Sequence, residues 1–348
     1  MAARASSAPA AGRACATNGE RFRALIVCAA AAFAPAAPAL AECGGRDLFP
    51  LIAQTAPQEL AAIEAEAEAA PFRRGLLFRV SRPGVAASYV FGTLHLADPR
   101  AARLKPAAAA ALARAKTVAV ESVETGAALR RALKRAPAAF RAATRAAPQE
   151  RPDALLDADD LARLDALAEA AGLDPAAARA TKAGALAVTL DLPACARSGD
   201  YADALIMREA RRRGQRLVGL ETMAEQLSGL GPLSDETARA LLTATLLQAE
   251  RGEDIVETAL LRYAEDDPGA LAAFMRAPEP LPGVAGSGTP QAFLALLLDA
   301  RSARMAARAA PLLETGSAFV AVGAAHLPGE AGLLRRLERR GFVVERAQ

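Results

Sequence analysis

The chain holds two histidines in 348 residues, and both close the same short pattern. Gly92-Thr93-Leu94-His95 and Gly323-Ala324-Ala325-His326 are each followed by a leucine, Leu96 and Leu327. Imidazole titrates near neutral pH and is the commonest metal ligand among side chains. Using both copies in one pattern points to one shared task. Glycine three places earlier, Gly92 or Gly323, lets the backbone turn tightly or approach a ligand closely. The acids that could join the histidines are Glu121, after Thr117–Val120, and Glu221, after Leu217–Leu220. Two imidazoles with one or two carboxylates suit Zn, Mn, Fe or Co. A divalent ion with an open position lowers the pKa of a bound water towards 7, and a further carboxylate can take its proton. The bland alternatives are neutral histidines tied to backbone, strand-end acids that cap helices or face water, and arginines on an amphipathic helix face.

Those residues need strands behind them. Ala87–Phe91 and Ala318–Val322 are short apolar runs with β-branched and aromatic residues, the pattern of buried strands. After each histidine comes a Pro-containing start signal, then helices over about Arg100–Ala115 and Ala331–Arg340. Second strands follow at Lys116–Val120 and Gly341–Val344. The expected fold is therefore α/β, a mixed sheet built from two strand–GxxH–helix–strand units. In open α/β sheets ligands gather at the carboxyl ends of strands, which is where both histidines fall. A large helical insertion, about 122–290, is expected between the units. It would contain one further strand, Arg216–Leu220, which delivers Glu221. Within it, Ala128–Ala143, Asp157–Ala171 (Asp157 as N-cap), Ala176–Leu190, Asp203–Arg213, Ser234–Glu250, Ile255–Ala264 and Pro268–Met275 are expected helices. Pro278–Pro290 is expected as a mobile loop. A last helix over Gln291–Leu313 would bring Asp299, Arg301 and Arg304 near the second GxxH strand.

Residues 1–41 look like an export signal. Arg21 and Arg23 precede an apolar stretch from Ala24 to Phe33, and Ala39-Leu40-Ala41 supplies an A-x-A cleavage site. The product, residues 42–348, is expected to be a single domain, exported and periplasmic, with no membrane span after the signal. Residues 1–41 carry four Arg and one Glu, so 38 basic and 38 acidic residues remain. That balance, with aromatic residues at 4%, gives no support for nucleic-acid binding. The densest basic run, Arg208–Arg216, reads as a solvated helix end. Cys43 and Cys195 are the cysteines left after residue 41, and in an oxidising compartment they are expected to pair. HExxH, CxxC and GxSxG are absent from the chain, and a bonded pair leaves no cysteine nucleophile.

The chain resembles the TraB/GumN family, which includes the Tiki proteins. The resemblance is carried by Gly92–His95 and by VGAAHLPGEAGLLRRLERRGFVV at 322–344, the more specific segment. Val118–Glu121, Gly219–Thr222 with Glu225–Leu227, and the Asp299–Arg301 helix support it. CGGRDLFPLI from Cys43, LPAC at 192–195 and Asp203 extend it more loosely. Tiki members are metal-dependent proteases that use paired GxxH motifs and an acidic residue. Others act in pheromone shutdown or accompany polysaccharide gene sets. Carried over, His95 and His326 match the motif histidines and Glu121 the acid. Arg301 matches the arginine of an Arg-Asn pair, with Ser302 where asparagine is usual. Relatives often carry a tryptophan in the helical region; this chain has none.

The function expected from residues and resemblance together is an exported metal-dependent hydrolase, a peptidase acting on a peptide or protein substrate. His95, His326, Glu121 and Glu221 would hold a divalent metal (Mn, Co or Zn). Glu121 would act as ligand or base, and Arg301 would bind substrate or developing negative charge. Asp203 would be a further ligand or an orienting group. The alternative is a non-catalytic envelope protein that binds a peptide or metal in the same pocket.

Overall fold

The computed structural model describes residues 43–197 and 201–347. The expected signal segment, 1–41, lies outside the described residues. Six strands form one mixed sheet: β1 (Leu77–Ser81), β2 (Ser88–Thr93), β3 (Thr117–Val120), β4 (Arg216–Gly219), β5 (Ala318–Gly323) and β6 (Val343–Arg346). Their order is β4-β3-β5-β2-β1-β6. The four strands from β4 to β2 run parallel, whereas β1 is antiparallel to both β2 and β6. The α/β expectation holds, with two departures. Sequence reading missed β1, and β6 pairs with β1 at the sheet's far edge rather than beside its own unit.

Period-2 alternation puts successive side chains on opposite faces, and β5 shows why it sits at the centre. Phe319 and Ala321 join one core with Phe91, Val118, Ile206, Met207 and Leu260. Ala318, Val320 and Val322 join another with Phe78, Ala119, Met305, Ala309 and Leu337. A strand buried on both faces reads as a continuous apolar run, as AFVAV does. The Ala202–Arg212 and Gly252–Ala264 helices thus cover one face, and the Arg301–Thr315 and Leu333–Glu338 helices the other.

Prolines shorten several expected helices, because a ring without N–H starts a helix easily and continues one poorly. Pro106 opens Pro106–Arg114 after a short Pro99–Ala102 turn, and Pro137 divides Gly126–Arg135 from Pro137–Thr144. Pro175 opens Pro175–Arg179, which is separated from Ala183–Leu190 at Ala180–Lys182, where Thr181 bridges Arg145 instead. Asp157 caps Ala158–Ala170 by accepting from Asp160 N at 2.9 Å. The 278–290 segment is irregular as expected, yet Leu281 and Ser287 are buried in it, so it is packed against the body. The helix before β5 contains a π-helical stretch, Ala295–Ala300, that leads directly into Arg301–Thr315.

The beginning of the described chain is sewn down. Cys43 and Cys195 form a disulfide across 152 residues. Backbone N–H groups of Gly44, Arg46 and Leu48 donate to Glu253, Asp254 and Thr258 at 2.7–2.8 Å. Among the described residues, no helix is long and apolar enough to cross a membrane.

Candidate functional site

Strand order decides which side chains meet. At the carboxyl edge of the parallel strands, Glu221 leaves β4, Glu121 leaves β3, His326 follows β5 and His95 follows β2. Neighbouring strands lie about 4.8 Å apart, so Glu121, His326 and His95 stand over adjacent strands while Glu221 is one strand further out. The two imidazoles converge on one carboxylate. His95 Nε2 and His326 Nε2 are each 3.8 Å from the same oxygen, Glu121 Oε1.

Each ring is held from behind. Asp203 Oδ2 lies 3.1 Å from His95 Nδ1 and makes no well-aligned hydrogen bond. Ser302 Oγ lies 2.9 Å from His326 Nδ1. A partner on one ring nitrogen fixes the direction of the other, so both Nε2 atoms face inward. Tyr201 adds an edge-on contact to His95, with ring centroids 5.7 Å apart. Tyr263 donates to the carbonyl of Gly92 at 2.9 Å and steadies the first motif's backbone.

The motif glycines make room rather than unusual dihedrals. A Cβ on Gly92 would come within 2.7 Å of Leu327 Cδ1 and 3.1 Å of Ala324 Cα, the backbone of the other motif. A Cβ on Gly323 would stand 3.2 Å from Glu121 Oε1, 3.4 Å from His326 Cδ2 and 3.8 Å from His95 Nε2. It would fill the space between the three groups.

Glu121 is held on both oxygens. Gly323 N–H donates to Oε1 and Arg301 Nη2 to Oε2, each at 2.6 Å. Arg301 also donates through Nε to Glu221 Oε2 at 2.9 Å, and Arg304 Nε donates to Glu221 Oε1 at 2.6 Å. The result is an alternating row, Glu121–Arg301–Glu221–Arg304, buried up to the partly exposed Arg304. Arg301 therefore lies behind Glu121 and is occupied at both ends, a position from which it supports the carboxylate instead of facing substrate. Glu221 spends its oxygens on two arginines, away from the imidazoles.

Electrostatics separates the two histidines. Burial works against a charged His95, but the nearby charge of Asp203, with Glu121, holds the ring well above the usual imidazole range. Its side chain remains 48% exposed, so solvent tempers both effects. Burial, with the charges of Arg301 and His95, pushes His326 down to about 4 against the pull of Glu121. For Glu121, burial pushes upward, yet Arg301 and then the histidines bring it well below the usual carboxylate range.

The donor set fits a divalent ion in its chemistry: two inward Nε2 atoms, a carboxylate oxygen, and a cradle that a single Cβ would fill. The spacing is open. An ion bound at about 2.0–2.1 Å favours tetrahedral donors roughly 3.3 Å apart, and the edges here are 3.8 Å. Among the described residues no three His, Cys, Asp or Glu side chains are gathered closely enough to hold a metal without adjustment.

Sequence reasoning named His95, His326, Glu121, Asp203, Glu221 and Arg301, and gave Ser302 only as a departure. It did not find the roles of Ser302, Tyr201, Tyr263 or the Gly323 amide. Tyr263 carries no local signal beyond its place on an amphipathic helix; its use depends on how that helix crosses the sheet.

The TraB/PrgY/gumN family model matches residues 76–346. No curated protein and no solved structure matches the chain.

Proposed function

The chain belongs to the TraB/PrgY/gumN family, and on that premise we propose that it is an exported metal-dependent hydrolase cleaving peptide bonds at the His95–Glu121–His326 site. The observation that carries this is the approach of two Nε2 atoms to one carboxylate oxygen, at 3.8 Å each. Export is supported by the Cys43–Cys195 disulfide, since such bonds persist in oxidising compartments.

His95 Nε2, His326 Nε2 and Glu121 Oε1 would hold a divalent ion of the Mn, Co or Zn kind. Such an ion, when bound, supplies Lewis acidity towards water and a substrate carbonyl. The chain's residues do the orienting. Asp203 and Ser302 fix the two rings, and the Gly323 amide and Arg301 hold Glu121 in its charged form. A carboxylate held that far below its usual range is a weak base, so Glu121 suits a ligand better than a proton acceptor. Arg301 is a positioning residue for Glu121, and Glu221 with Arg304 holds Arg301. The half-exposed His95 and the adjacent Tyr201 form the side of the site open to substrate.

A second reading, a non-catalytic envelope protein binding a peptide or metal in this pocket, draws on the open 3.8 Å spacing and the full commitment of Glu121. The test is metal content, thermal stability and peptide cleavage of the wild type, His95→Ala and His326→Ala, after chelation and after Mn, Co or Zn addition. Hydrolysis predicts about one metal per chain, a metal-linked rise in melting temperature lost in both variants, and metal-dependent cleavage lost with it. Metal binding without product would favour the second reading. No bound metal and no metal-linked shift would overturn the metal site.

A further inference from the structure

Outside the site, the most unusual feature is a charge imbalance on the segment leaving Glu121. Residues 125–149 contain six basic residues and no acid. They form the Gly126–Arg135 and Pro137–Thr144 helices and their flanks. Elsewhere the fold commonly pairs its arginines: Arg100 with Asp98 and Glu257, Arg179 with Asp153 and Asp165, Arg335 with Glu338. Here Arg131, Lys134, Arg135, Arg141 and Arg145 are exposed, and none has an ion-pair partner among the described residues.

The helices present these cations by construction. Leu129 faces inward and is buried, as are Phe140 and Ala143 on the second helix. Positions 127, 130, 131, 134 and 135 are all exposed, which is one helical stripe at 3.6-residue spacing. Lys134 and Arg135 also lie in the last turn, where cations suit the helix dipole. Arg141 is likewise in the last turn of the second helix and Arg145 is its C-cap, so the dipole accounts for four of the charges and leaves Arg131.

The ledge belongs to the same edge of the sheet as the site. Its first helix begins five residues after Glu121, and its second packs on the Met223–Ser228 helix, which follows Glu221 closely. With ten residues in the first helix, every point on it lies within roughly 30 Å of Glu121, a span that about nine extended residues cover. Val343 is the one large apolar side chain prominently exposed among the described residues, and it is on β6, the opposite edge of the sheet. The cationic face therefore lacks the apolar residues with which basic helices enter a lipid surface.

We propose that this ledge captures acidic segments of the polypeptide substrate, so that the site acts on chains carrying clustered Asp or Glu within about nine residues of the cleaved bond. This rests on the peptidase reading for the cleavage and on charge complementarity for the capture.

The test uses a fluorescein-labelled ten-residue peptide of alternating Glu and Gly, its Lys–Gly counterpart, and phosphatidylglycerol vesicles. Binding to the full protein is followed by anisotropy at about 20 and about 200 mM NaCl. The acidic peptide should bind, the basic one should not, and binding should weaken at least several-fold at the higher salt. The quadruple variant Arg131→Gln, Lys134→Gln, Arg135→Gln, Arg141→Gln should bind about tenfold or more weakly, with its melting temperature recorded alongside. Arg141→Gln alone, a milder change, should give a smaller loss in the same direction. His95→Ala should retain binding, so loss of cleavage and loss of capture are separable. Equal binding of the two peptides, salt-independent binding, or vesicle binding without acidic-peptide binding would overturn the proposal.

Discussion

Replacing Arg301 with methionine tests the buried charge row directly. The substitution keeps much of the side-chain length and removes both donors, Nη2 to Glu121 and Nε to Glu221. Breaking a buried ion pair by removing one partner costs about 3–5 kcal/mol, because a charge is left without compensation. Two features place the cost at the low end. Glu221 keeps Arg304, and Glu121 keeps the Gly323 amide. A loss of about 3 kcal/mol is expected at pH 7, which in urea denaturation moves the midpoint by roughly 1 M. The pH dependence carries the sharper sign. In the wild type, the depressed Glu121 pKa contributes stability that is present above its unfolded value, about 4.3, and is lost as pH falls through the folded value. In the variant, the buried carboxylate has lost its main cation and its pKa rises, so acid relieves the variant before it harms the wild type. The gap between the two proteins should narrow from pH 7 to pH 4. A gap below about 1 kcal/mol at pH 7, or one unchanged at pH 4, would refute the assignment of Arg301 as the group that holds Glu121.

Other expectations follow from the same geometry. In metal-free protein, nuclear magnetic resonance should show His326 titrating near 4 and His95 titrating above the usual imidazole range. By linkage, His326 favours folding above its unfolded value, about 6.5, and that contribution is lost as pH falls towards 4. His95 contributes below about 6.5 and loses its contribution as pH rises through its raised value. Ser302→Ala removes the hydroxyl that contacts His326 Nδ1 and should weaken metal affinity about 10–100-fold, measured by competition with a chromophoric chelator. Gly323→Ala should fold, since the glycine has φ −54°, while abolishing the metal-linked melting shift by filling the space beside Glu121 Oε1. Cys195→Ser opens the 152-residue loop and should lower stability by up to about 5 kcal/mol in urea titration.

How much of this was legible beforehand depended on whether the cause was local. The strands ending at Glu121, Glu221 and the two GxxH motifs were readable, because a short apolar run bounded by turn signals is a property of adjacent residues. β1 was missed because LFRVS is five residues with an exposed arginine at its centre, and its pairing with β2 and β6 is set by long-range order. Helix ends failed at Pro106 and Pro137, where proline begins a new helix instead of merely ending one, and at Ala180–Lys182, where a long-range bridge from Thr181 to Arg145 interrupts the helix. Convergence of the histidines with Glu121 could be guessed from strand ends. That Glu221 turns to Arg301 and Arg304 could not, because it follows from β4 being an edge strand beyond β3. Ser302 drew notice only for differing from a pattern; its contact with His326 depends on where the π-helical stretch delivers the following helix.

The position of β5 has a bearing on how the protein comes into being. It hydrogen-bonds β2 on one side and β3 on the other, yet it follows β1 to β4 and every helix between them in the sequence. Until it emerges, β2 and β3 have no partner in common and the sheet remains in two pieces. Such non-local pairing slows folding and leaves strand edges open meanwhile. A chain made from its amino end therefore stays unfinished until almost the last strand is present. The same strand delivers His326, so closing the sheet and completing the candidate site are one event.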